Sequence, residues 1–93
     1  MCSLCDHVPR SARQPTPEAL GAFIAQRKAD VRAGVLVAVN ERQGAFLDLE
    51  EEAPWAGDGF FYRLGCRQCA AVFDFGAATY RGPGGRWEIA LGR

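Results

Sequence analysis

Four cysteines stand as two Cys-x-x-Cys pairs near opposite ends of a 93-residue chain, Cys2 with Cys5 and Cys66 with Cys69. Two intervening residues let both sulfurs of a pair face one tetrahedral ion, and two such pairs fill Zn²⁺ with no position left for water. A closed site of this kind implies structure rather than catalysis. Sixty residues separate Cys5 from Cys66, so a metal held by all four sulfurs closes a loop containing most of the chain. Closure entropy grows only with the logarithm of loop length, and the gap does not forbid a single site.

Length and composition fit one folded unit spanning residues 1–93: the hydrophobic fraction is 48%, well above that of chains that stay disordered. A domain this small buries a modest share of its surface, so a metal cross-link between its ends adds appreciably to stability. No run approaches a membrane span, and the start lacks the basic-then-apolar layout of a signal peptide. The expectation is a soluble, cytoplasmic protein. In a reducing cytosol, close cysteine pairs read as metal ligands before they read as disulfides.

The helix and strands are legible from spacing. Pro9, Pro15 and Pro17 with Ser11 and Gln14 mark residues 9–17 as an irregular linker. A helix is expected after it, with Thr16 as N-cap, Pro17 at the first helical position, Glu18 in the first turn and Gly34 as the stop. Its apolar stripe is Leu20, Phe23, Ile24, Arg27 and Val31, which leaves Gln26, Lys28, Asp30 and Arg32 facing water. The β-branched run Val35 to Val39 predicts a central strand. Residues 40–44 then read as a hairpin loop, and Ala45, Leu47 and Leu49 alternate as a returning strand up to residue 50.

Residues 51–59 combine acidic, proline and glycine signals and predict a surface loop. Phe60 to Leu64 is strand-like, and Ala71, Phe73 and Phe75 alternate after the second cysteine pair, which places that pair on the turn of a hairpin. Trp87, Ile89 and Leu91 form a last strand after a glycine-rich turn. The expected architecture is α+β: one helix packed on an antiparallel sheet of about five strands, with the four-cysteine site joining the N-terminus to a β-hairpin.

The arrangement resembles a zinc ribbon, in which two cysteine knuckles beside hairpin turns clamp one ion; the resemblance covers residues 1–6 and about 60–75. It implies Zn²⁺ on Cys2, Cys5, Cys66 and Cys69. Thiolates alone accept iron as well. The pairs read Cys-Ser-Leu-Cys-Asp and Cys-Arg-Gln-Cys-Ala, without the glycine of rubredoxin knuckles, which ranks zinc ahead of iron. Neither pair has the strand-then-helix setting that lowers a thiol pKa in redox enzymes. Four thiolates leave excess negative charge on the ion, so Arg63 and Arg67, beside and inside the second pair, are candidates to soften it. His7 is the sole histidine and could replace a cysteine in the site, but since four cysteines already suffice it reads as a surface residue or one that supports the ligands from outside.

No nucleophile, base and orienting acid suggest themselves, so an enzyme is not expected. The charges balance at eleven each, but residues 35–59 hold one basic and six acidic groups. Asp48, Glu50, Glu51, Glu52 and Asp58 with Trp55 in their midst suggest a surface for a basic protein partner: the ring supplies anchor area and the charges speed encounter. The alternative is a nucleic-acid-binding zinc ribbon, with Phe60, Phe61, Tyr62, Arg63 and Arg67 as a stacking face. The absence of a basic excess disfavours it. The tail Cys66, Cys69, Phe73, Thr79, Tyr80, Gly82, Gly84, Gly85 and Trp87 is similar to that of small uncharacterised bacterial proteins, some of which are toxin immunity proteins. That similarity implies a partner-binding role.

Overall fold

The computed structural model describes residues 4–40, 44–51, 59–78 and 84–91. In chain order these form strand β1 (Ser11–Gln14), helix α1 (Pro17–Arg32), strand β2 (Leu36–Asn40), a 3₁₀ turn (Phe46–Asp48), and strands β3 (Gly59–Cys66), β4 (Val72–Ala78) and β5 (Gly85–Leu91). The strands make one antiparallel sheet in the order β1-β5-β4-β3-β2, with α1 packed on it. The α+β architecture of one helix on a five-stranded sheet is therefore as the sequence indicates.

Three strand assignments change. β2, expected as the central strand, lies at the edge of the sheet, and Val37 and Val39 on it are exposed. The returning strand expected over residues 45–50 is replaced by the 3₁₀ turn, in which Phe46 is fully buried while Leu47 is 38% exposed. Its alternation had the opposite parity: Phe46 enters the core edge-on to Tyr62. The partner of β2 is instead β3. The fifth strand is β1, inside the stretch read as linker. Its sequence, Ser-Ala-Arg-Gln, has no apolar alternation, and it becomes a strand because β5 offers it a pairing edge.

The helix starts and stops where its signals stand. Thr16 accepts the Ala19 N–H through its hydroxyl at 3.0 Å. At the other end Gly34, at φ 81°, donates to Val31, and Val35 donates to Asp30 at 2.9 Å. These two bonds make a Schellman closure, which satisfies the last carbonyls and turns the chain into β2. Leu20, Ile24 and Arg27 are buried as the stripe requires, but Lys28 and Asp30 are buried too, at 5% and 8% exposure. Both were expected in water. Each sits inside because it has an opposite charge to meet: Lys28 Nζ lies 3.1 Å from Glu51, and Asp30 lies between His7 and Arg27.

The core is aromatic. Trp87 stacks on Phe73 with centroids 4.9 Å apart and meets Phe75 and Phe23 edge-on. Phe60, Phe75 and Phe46 extend the cluster toward β2. Gly21 lets residue 51 cross the helix closely: a Cβ there would stand 2.1 Å from the Glu51 carbonyl oxygen. The opposite face of the sheet carries Phe61, Arg63, Asp74, Arg86 and Glu88, with Arg63 paired to Asp74 across the strands and Arg86 to Glu88 along one.

Candidate metal centre

Three of the four cysteines meet. The sulfurs of Cys5, Cys66 and Cys69 all lie within 4.8 Å of one another, and Cys5 Sγ is 3.7 Å from Cys69 Sγ. Four sulfurs tetrahedral about Zn²⁺ at about 2.3 Å stand about 3.8 Å apart, so the contact has the length of a tetrahedral edge. The group can hold a metal ion. Cys2, the expected fourth ligand, lies outside the described residues.

Each sulfur arrives by a different route. Cys66 ends β3 on the same face as the buried Tyr62 and Leu64, because side chains alternate along a strand. Its N–H donates to the Ala71 carbonyl at 2.9 Å, closing the turn that carries Cys69. Within the turn the Gln68 N–H points at Cys66 Sγ at 3.4 Å. A backbone donor aimed at sulfur stabilises thiolate charge. The Arg67 N–H donates to the Val35 carbonyl at 3.1 Å, which docks the turn beside the end of α1.

Cys5 comes from an arm with no regular structure, yet the arm is held at several points. Val8 is buried and its N–H closes a turn onto the Cys5 carbonyl at 3.0 Å. His7 Nε2 meets Asp30 Oδ1 at 2.7 Å, while Asp30 Oδ2 accepts from Arg27 Nε at 2.8 Å. The Arg27 guanidinium lies over the Phe23 ring, 4.7 Å from its centroid. Trp87 Nε1 then donates to the Pro9 carbonyl at 2.6 Å, and β1 pairs with β5. These contacts seat the arm beside the cysteine cluster through groups other than sulfur.

No family model matches this chain, and no curated protein or solved structure is significantly similar to it.

The other expected site residues are distributed differently. Arg63 is on the face opposite the cysteines, and its side chain is engaged by Asp74 at 2.7 Å. The hydrogen bond to Asp74, and then its charge, raise the Arg63 pKa. Its expected place near the sulfurs is corrected by strand parity: Arg63 and Cys66 are three residues apart and point to opposite faces. Arg67 is exposed within the cysteine turn, its stem lying against Gly34. His7 stands outside the sulfur cluster, and although its side chain is exposed its contact with Asp30 anchors the arm.

Among the acidic residues, Asp48 and Glu50 are exposed, and Glu51 is spent on the buried Lys28. Glu52, Trp55 and Asp58 lie outside the described residues. The aromatic stretch splits: Phe60 and Tyr62 belong to the core cluster, and Phe61 alone is 44% exposed. Sequence reasoning missed Asp30 and Trp87 as the residues that seat the arm. The three-residue spacing of Arg27 and Asp30 hinted at a buried pair, whereas nothing in the sequence linked Trp87 to Pro9.

Proposed function

We propose that this protein is a non-enzymatic binding module clasped by Zn²⁺ on Cys2, Cys5, Cys66 and Cys69, acting through its surface on a basic protein partner. The observation that carries the reading is the convergence of Cys5 with Cys66 and Cys69 across sixty intervening residues. Thiolate donors and a tetrahedral edge suit zinc, which prefers sulfur and has no redox chemistry of its own. Two neighbouring groups that resemble catalytic parts have structural work: Asp30 orients His7 and neutralises buried Arg27, and both hold the arm in place.

The partner surface is the acidic segment that starts at the exposed Asp48 and Glu50 and continues through Trp55. Its charge would steer a basic partner, and the tryptophan would supply the anchor. A toxin-neutralising immunity protein is the role that this layout and the resemblance of the tail suggest.

Metal analysis of freshly purified, reduced protein tests the clasp: one zinc per chain is expected, lost in Cys66→Ser, and protein free of zinc and iron overturns it. Cross-linking in the native host tests the partner. Cross-links from residues 48–58 to a basic protein, abolished by Asp48→Lys with Trp55→Ala, are expected; capture unaffected by the double variant sinks the partner reading.

A further inference from the structure

The cysteine cluster joins two segments by a contact that a covalent bond can replace. Cys5 Sγ and Cys69 Sγ are 3.7 Å apart, so closing to disulfide length, about 2.05 Å, requires a movement of less than 2 Å. From this we infer that Cys5 and Cys69 form a peroxide-driven disulfide that replaces the metal as the link between the arm and the β3–β4 turn. The inference rests on the zinc reading for the metal it displaces, and on the geometry alone for the bond it makes.

Accessibility and distance assign the roles. Cys69 is partly exposed in its turn, while Cys5 is buried at 9% exposure, so a peroxide reaches Cys69 first. Cys5 Sγ stands 3.7 Å from Cys69 Sγ, which places it to resolve the oxidised sulfur. The Cys69 thiolate attacks one oxygen of a hydroperoxide. The O–O bond breaks, hydroxide or alkoxide leaves and takes up a proton, and Cys69 becomes a sulfenic acid. The Cys5 thiolate then attacks that sulfur, forms the S–S bond and expels hydroxide, which a second proton converts to water. With hydrogen peroxide, two thiolates, one peroxide and two protons give one disulfide and two waters; two electrons pass from sulfur to oxygen.

The pairing matters. A bridge within either Cys-x-x-Cys pair would free the arm from the turn, whereas Cys5–Cys69 keeps the same two segments tied. The bonds from His7 to Asp30 and from Trp87 to the Pro9 carbonyl hold the arm while the exchange occurs. Oxidation thus removes the metal without opening the clasp.

The test starts from reduced, metal-loaded protein with its zinc content already measured, then adds hydrogen peroxide and follows metal release with a chromogenic chelator, intact mass and disulfide mapping. The expected result is release of bound zinc, loss of two hydrogens, a Cys5–Cys69 bridge and an unmoved Trp87 indole cross-peak in the NMR spectrum. In Cys5→Ser, dimedone should label Cys69. A bridge mapped within either pair, or metal release with no bridge at all, overturns the inference. Absence of zinc at the outset defeats the metal reading alone, because the bridge is then scored on the reduced apoprotein by the same mapping.

Discussion

Trp87 and Pro9 are 78 positions apart in the chain, and the indole Nε1 of one donates to the backbone carbonyl of the other at 2.6 Å. The bond ties the cysteine-bearing arm to the middle of β5, at a fully buried residue whose ring packs on Phe23, Phe73 and Phe75. The cysteine cluster and the core are thereby coupled through one side chain.

Replacing Trp87 by Phe keeps an aromatic ring but removes the donor and part of a fully buried volume. Loss of the hydrogen bond and the small cavity together should destabilise the fold by about 2 to 4 kcal/mol. Urea unfolding of the metal-loaded protein, followed by circular dichroism, measures it; a change within error would show that the arm is held without this bond.

Asp30 faces Arg27, whose side chain is 5% exposed, and His7, whose side chain is 53% exposed. Asp30→Asn leaves a buried guanidinium without its counter-charge and should cost about 3 kcal/mol, the lower end for a broken buried pair because the Phe23 face still supports the cation. His7→Ala removes only the exposed partner, and about 1 kcal/mol or less is expected. Equal losses in the two variants would contradict this division of roles.

Helix propensity alone says that Gly21→Ala should stabilise α1 by about 1 kcal/mol. The added Cβ would stand 2.1 Å from the Glu51 oxygen, a backbone atom that cannot rotate away. Overpacking therefore wins, with a net loss of about 1 to 3 kcal/mol and displacement of the segment that brings Glu51 to Lys28. A rise in melting temperature would disprove the crowding.

Chelation or Cys66→Ser should lower stability by roughly 5 kcal/mol or more, since structural zinc contributes its binding energy to folding. For a domain of this size that is a fall of roughly 20 °C or more in Tm. Thermal scans with and without a chelator under reducing conditions check it.

What could be read from the sequence divides along physical lines. The helix was legible because its signals are local: Thr16, Pro17 and Gly34 act within one turn of their own positions. The strands around Phe73 and Trp87 were legible because each buries alternate residues. β1 was not, since four residues with only Gln14 fully buried become a strand through a partner 71 or more positions away. The alternation at 45–50 misled because a 3₁₀ turn can bury Phe46 alone and leave Leu47 outside. Lys28 and Asp30 looked wet because their neutralising partners lie on other segments. The convergence of cysteines was legible from chemistry, while the aim of Arg63 depended on strand parity relative to Cys66.

The strand order β1-β5-β4-β3-β2 also bears on how the chain folds. β3, β4 and β5 follow one another in sequence and pair as a meander, so their contacts form at small separation. β1 must wait for β5, the last strand to emerge, before it has an edge to join. Contacts of such high order form late. The arm and its cysteine therefore latch onto a sheet already assembled, and an ion held by the cysteine cluster would act as a bolt shot after the door has closed rather than as the hinge on which it turns.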